Sequence, residues 1–195
     1  MATEGRGIAM SVKNRSLLGT LLFVGAAQLI LVMTVAEALY PGYNMATNYI
    51  SDLGVGSTAL LFNTSIVLFG VIALLGAAFS RRSLDTPLTL TLVLAGAGAV
   101  GVGLFPETTG VPHQICSLIT FFFSAASAII SYRVTRRPLS YFSVVLGVIA
   151  LAALVLLFYL PHYDLGLGLG GMERMIAFPI LVWALGFGGF MMGSR

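Results

Sequence analysis

LSYFSVVLGVIALAALVLLFYL, residues 139–160, contains no charged side chain and does not alternate apolar with polar positions. As an α-helix rising 1.5 Å per residue it reaches roughly 30 Å, the thickness of the hydrocarbon core of a bilayer. A strand of a membrane barrel would alternate, and an open sheet would leave backbone N–H and C=O groups unpaired in lipid. The stretch reads as a transmembrane helix. Five more satisfy the same criterion: 16–39, 57–79, 88–105, 113–134 and 172–193. Composition agrees, because 58% of the 195 residues are hydrophobic and only 9% are charged, against about 25% charged in an ordinary globular domain. A soluble chain of this size has too little interior for so much apolar surface. The expected fold is all-α: a six-transmembrane-helix bundle, residues 16–195, behind a basic arm, residues 1–15.

The basic residues orient it. Arg6, Lys13, Arg15, Arg81, Arg82, Arg133, Arg136, Arg137 and Arg195 all fall on one side of the six-span order, leaving Arg174 alone of the 10 Lys and Arg residues on the other. Lys and Arg collect in short cytoplasmic loops, so the N and C termini are expected to be cytoplasmic and the chain a multi-pass protein of the cell membrane. The formal charge of +3 is thus distributed by topology. No nucleic-acid partner is expected; membrane lipids are, together with a membrane-protein partner or a homo-oligomer. Ala36-Glu37-Ala38 after an apolar run resembles a signal-peptide cleavage site. The run exceeds the usual 7–15 residues, however, so a retained first span is expected. Gly96-x-Gly98-x-x-Gly101 and Gly166-x-Gly168-x-x-Gly171 fit the dinucleotide pattern without the strand it requires. The small residues from Ala95 to Gly103 point instead to close helix packing. A single cysteine, Cys116, rules out an internal disulfide and a CxxC site.

With topology assigned, Glu37, Asp52, Glu107, His113, His162, Asp164, Glu173 and Arg174 all lie at outer span ends or in outer loops. The deepest polar side chains are uncharged: Gln28, Thr120, Ser124 and Ser127. A pump or ion-coupled transporter places ionisable groups along its path, so any chemistry here belongs in a cavity at the outer face. In the first outer loop Asn44, Asn48, Ser51 and Asp52 recur at helical spacing, and Asn63 lies about two turns into the second span. Two readings stand: caps and loop-satisfying polar groups, or one shared pocket. Pro112 suits a helix start and puts His113 at the boundary. His113 then reads either as an interfacial histidine or as a base oriented by Asp52 or Glu107, with Ser51 as nucleophile, although no GxSxG elbow surrounds Ser51. A metal needs three or four converging ligands. Asp52, Glu107, His113 and His162 contain no tight local pair, so no metal and no cofactor are expected. Cys116 and Ser117 read as packing residues. The glycines of 161–171 form either a flexible turn or, with the following helix start and Arg174, an anion site. Glu173 would pair with Arg174 or another outer group. The expected ligand site is Asn44, Asn48, Ser51, Asp52, Asn63, Glu107, His113 and Glu173, with Arg174 at its rim.

Tyr40-Pro41-Gly42-Tyr43-Asn44, Asn48-Tyr49-Ile50-Ser51-Asp52-Leu53-Gly54, Gly103-Leu104-Phe105-Pro106-Glu107 with His113, and Glu173-Arg174 together resemble the DUF998 family of small prokaryotic membrane proteins. The resemblance covers nearly all of the chain after the arm. It implies a six-span fold in a prokaryotic plasma membrane and no particular reaction. The Ile-Ser-Asp-x-Gly element with a His opening the fourth span is similar to the Frag1/DRAM/Sfk1 group, which implies a link to membrane-lipid handling. The expected function is binding or handling of lipid headgroups or a small polar ligand. The alternatives are an accessory or scaffold subunit of a membrane complex, and an intramembrane hydrolase or transferase using His113 and nearby carboxylates.

Overall fold

A computed structural model describes residues 2–81, 83–160 and 163–193, with side chains from Val12 onward. Six helices carry the fold: α1 (Ala2–Leu39), α2 (Ala59–Ser80), α3 (Thr86–Leu104), α4 (Val111–Ile130), α5 (Leu139–Tyr159) and α6 (Gly168–Gly193). All 6 are long and apolar enough to cross a membrane, and no strand occurs among the described residues. The bundle is all-α. Each helix packs against its successor and α6 returns against α1, closing a ring. Gly188 of α6 meets Gly19 of α1, while Arg174 meets Glu37, so α1 and α6 are antiparallel. The first and last helix ends therefore share one end of the bundle; we call the opposite end distal.

Most boundaries match the sequence reading within a residue or two, but three differ: α4 ends at Ile130, four residues early, where a 3₁₀ turn (Ser131–Arg133) takes over, and two others shift at their starts. The helix of α1 continues back through the basic arm to Ala2, because nothing between 2 and 15 breaks it beyond isolated glycines. At the other end, α6 begins at Gly168 instead of Met172, so Gly170 and Gly171 are helical and form no flexible turn. The reason is proximity. The N–H of Gly170 donates to the Ala46 carbonyl at 3.0 Å, and a Cβ on Gly170 would collide with the backbone of Met45 and Asn48.

In lipid, apolar side chains gain little by turning inward, so association relies on close packing and interhelical hydrogen bonds. Both are present. The Gly70 and Gly96 backbones bring α2 against α3, and a Cβ on Gly98 would stand 2.6 Å from Thr120 Oγ1 of α4. Gly101 faces Cys116 and Gly103 faces Val67, so the glycines of α3 serve neighbours on both sides. Gln28 Nε2 donates to the Ser65 carbonyl at 3.1 Å, and Ser65 Oγ donates back to Gln28 Oε1 at 2.9 Å, tying α1 to α2. Ser127 Oγ donates to Thr91 Oγ1 at 2.9 Å between α4 and α3. Trp183 stacks on Phe187 and its Nε1–H donates to Ser131 Oγ at 3.0 Å. Leu31, Leu60, Leu104 and Tyr159 point outward, as a lipid-solvated surface requires.

Candidate functional site

The site grows from the loop between α1 and α2, which folds on itself. Asn48 Oδ1 accepts from the Asn44 N–H at 3.0 Å, and Asn48 Nδ2 donates to Asp52 Oδ2 at 2.8 Å. The same Asp52 oxygen accepts from the Tyr49 N–H at 3.1 Å, and a 3₁₀ turn, Ser51–Gly54, follows. The helical spacing read from the sequence thus produces a side-chain ladder across a turn and not a continuous helix. Asn63 Nδ2 donates to the Gly54 carbonyl at 2.9 Å and anchors the loop to α2. Asn44, Asn48 and Asn63 hold the loop and do not line the distal cleft described below.

Arg174 sits on the other side of this loop, away from the rim position expected of it. Its Nη2 donates to Glu37 Oε1 at 2.6 Å and to the Tyr43 hydroxyl at 2.6 Å. Its Nη1 donates to the carbonyls of Met45, Asn48 and Gly170. The guanidinium carbon lies 5.4 Å from the centroid of the Tyr43 ring. Both ions are nearly buried, with side chains 8% and 10% exposed. Burial pushes the Tyr43 phenol up to about 12 despite the adjacent guanidinium, so it stays protonated and donates to the Tyr49 carbonyl at 2.8 Å. The expected anion site loses its cation here, because Glu37 already neutralises Arg174. Neighbouring Glu173 does not pair with Arg174; it accepts from the backbone N–H groups of Ile50 and Ser51 and holds the start of the 3₁₀ turn.

Ser51, Glu107, His113 and Glu173 come together on the wall of a distal cleft of about 190 Å³, with Tyr49, Gln114, Ser117, Phe121 and Phe158. They arrive from four elements: the first loop, the 3₁₀ turn Glu107–Thr109, α4 and α6. Ser51 Oγ donates to Glu107 Oε2 at 3.2 Å. Burial raises the Glu107 carboxyl to about 7, and the Asp52 carboxyl beside it adds to the rise while Ser51 opposes it. Tyr49 is raised as well, first by burial and then by Glu173, Glu107 and Asp52. His113 Nδ1 faces the Phe105 carbonyl at 2.8 Å and so carries its proton. Nε2 is then the acceptor, bonded at 3.2 Å to the Ser117 hydroxyl. His113 bonds neither Ser51 nor a carboxylate. Among the described residues no group of three His, Cys, Asp or Glu side chains could hold a metal; His162 lies outside them.

Tyr49, Gln114 and Ser117 went unnoticed in the sequence as site residues. Ser117, read as packing, lies one turn after His113 on the same helix face, so the spacing carried a usable signal. Glu37 carried none, since its partner is 137 residues away.

A closed ring of membrane-length helices with a polar cleft at one end defines a multi-pass membrane protein, with two of its carboxyl groups, Glu107 and Glu173, on the wall of that cleft. A family model described as "Protein of unknown function (DUF998)" matches residues 23–189, which include every residue of the cleft named above, and the chain belongs to that family. No curated protein and no solved structure matches it.

Proposed function

We propose that the chain binds a lipid headgroup or a small polar ligand in this distal cleft, with the cleft outward and both termini cytoplasmic, in a prokaryotic plasma membrane. The observation that carries the reading is the convergence of Ser51, Glu107, His113 and Glu173, from four separate elements, on one cleft wall. A small number of placed polar groups beside aromatic walls is the usual make-up of a ligand site. Arg174 supports the site by fixing the loop and does not touch the cleft. The Ser51–Glu107 hydrogen bond favours a hydrolase as the second reading, with Glu107 in place of His113 as the base. Binding ranks first because the base of such a pair needs a third group to orient it, and the neighbour of Glu107 is another acid.

The test is a thermal-shift series on the purified protein in nanodiscs with glycerol, methyl galactoside, ethanolamine and glycerol phosphate. At least one probe should stabilise the parent chain and fail to stabilise Glu107→Ala. Equal shifts in parent and variant, or none in either, would remove the cleft from consideration. Orientation has its own check in a Cys116→Ser background. Thr109→Cys should react with an impermeant maleimide from outside, and Arg137→Cys should not.

A further inference from the structure

The cleft does not end at its polar wall. Phe158 also lines a second, apolar groove of about 490 Å³ between α4 and α5, walled by Leu118, Phe122, Leu151 and Val155. Leu118, Phe122, Val155 and Phe158 are all exposed there, so the groove faces the hydrocarbon. Along α5 it runs from Leu151 to Tyr159, roughly 12 Å at helical rise, most of the depth of one leaflet's hydrocarbon. A polar cleft and a lipid-facing groove thus meet across one phenylalanine, at the distal end where headgroups lie.

The charge of the cleft restricts the head. Its ionisable walls are Glu107, Glu173, His113 and Tyr49, and no Lys or Arg occurs among the described residues lining it. The cation nearest in sequence, Arg174, is held by Glu37 on the far side of the loop. A phosphate placed there would face carboxyl groups with no counter-ion, a repulsive element that rejects the wrong head. Hydroxyl groups would instead find acceptors in the carboxylates and partners in Ser51, Ser117 and Gln114.

We propose that the ligand is a membrane lipid with an uncharged, hydroxyl-bearing head, which enters sideways from the leaflet past Phe158, lays its chain in the α4–α5 groove and turns its head into the cleft. This rests on the headgroup reading above and adds the source, the route and the head chemistry. The experiment compares nanodiscs of phosphatidylcholine doped with galactosyl diacylglycerol or with phosphatidylglycerol, and counts lipids retained by mass spectrometry after release. The parent should retain the galactolipid about tenfold better than phosphatidylglycerol, the ratio that a single hydrogen bond to a charged group supplies. Val155→Trp fills the groove at a lipid-exposed position where folding is not at stake. It should lose the galactolipid while keeping its thermal shift with methyl galactoside. Equal retention of the two lipids overturns the head assignment, and an unchanged Val155→Trp overturns the route. Methyl galactoside binding with no lipid retained sinks this inference and leaves the cleft reading standing; no lipid retained and no shift with any of the four soluble probes sinks both.

Discussion

Two polar clusters sit side by side at the distal end, built on opposite sides of one loop, and they differ in whether they open onto a cleft. Around Arg174, one guanidinium meets a carboxylate, a phenol and three carbonyls. Across the loop, Glu107 has a hydroxyl and a second acid for company and faces an open cleft. The first cluster keeps one guanidinium N–H, at Arg174 Nε, buried without a partner and shut away from the cleft, while the second opens onto it. Charge alone therefore does not mark a binding site; polar groups that open onto a cleft do.

The comparison can be broken from either side. Arg174→Met strands Glu37 in a nearly buried position and should cost about 3–5 kcal/mol, the usual penalty for removing one partner of a buried pair. It should give the largest fall in melting temperature in detergent, with the Glu37→Gln, Arg174→Met double variant recovering part of the loss. A melting temperature within about a degree of the parent would show that the cluster does not brace the loop. Gly98→Leu tests the scaffold beneath both clusters. Its Cβ would stand 2.6 Å from Thr120 Oγ1, and overpacking of this kind costs about 1–3 kcal/mol, again read as a lower melting temperature.

Below about pH 4.5, where the carboxyl is protonated in both states, Glu107→Gln should change stability least, by less than about 1 kcal/mol, and its main effect should come through pH. The folded chain raises this carboxyl from 4.5 to about 7, so it binds the proton more tightly than the unfolded chain does. The resulting stabilisation is full below about pH 4.5 and fades as pH rises through 7. The parent should lose melting temperature across that window and the glutamine variant should lose less. Parallel curves would place the Glu107 proton elsewhere.

How much of this was legible depended on the range of the interaction. The spans were readable because apolar length is a local property, and 139–160 needed no knowledge of its neighbours. Ser51, Asp52, Glu107, His113 and Glu173 were visible as polar residues at span ends, since hydrocarbon leaves few places for them. Which cluster each would join was not, because that depends on the ring order bringing α6 between α1 and α5. Glu173 and Arg174 are adjacent in sequence and point into different clusters for that reason. Asn63 looked like a pocket residue, but its carboxamide satisfies a carbonyl at the end of the loop, a need that only the folded turn creates. The glycines before Glu173 looked flexible in sequence, whereas in the fold the Met45–Asn48 backbone lies against them.

The Glu37–Arg174 pair also bears on how the chain is made. Membrane chains are synthesised from the N-terminus, so Glu37 enters the bilayer boundary with the first helix and its cation arrives only with the last. Throughout synthesis of α2 to α5 the acid has no guanidinium to meet, and the ring stays open along the α1–α6 seam. Completion of the final helix is then the event that neutralises Glu37, closes the ring and organises the loop that forms the cleft. A chain interrupted before α6 would leave Glu37 without its guanidinium and the bundle open along the α1–α6 seam.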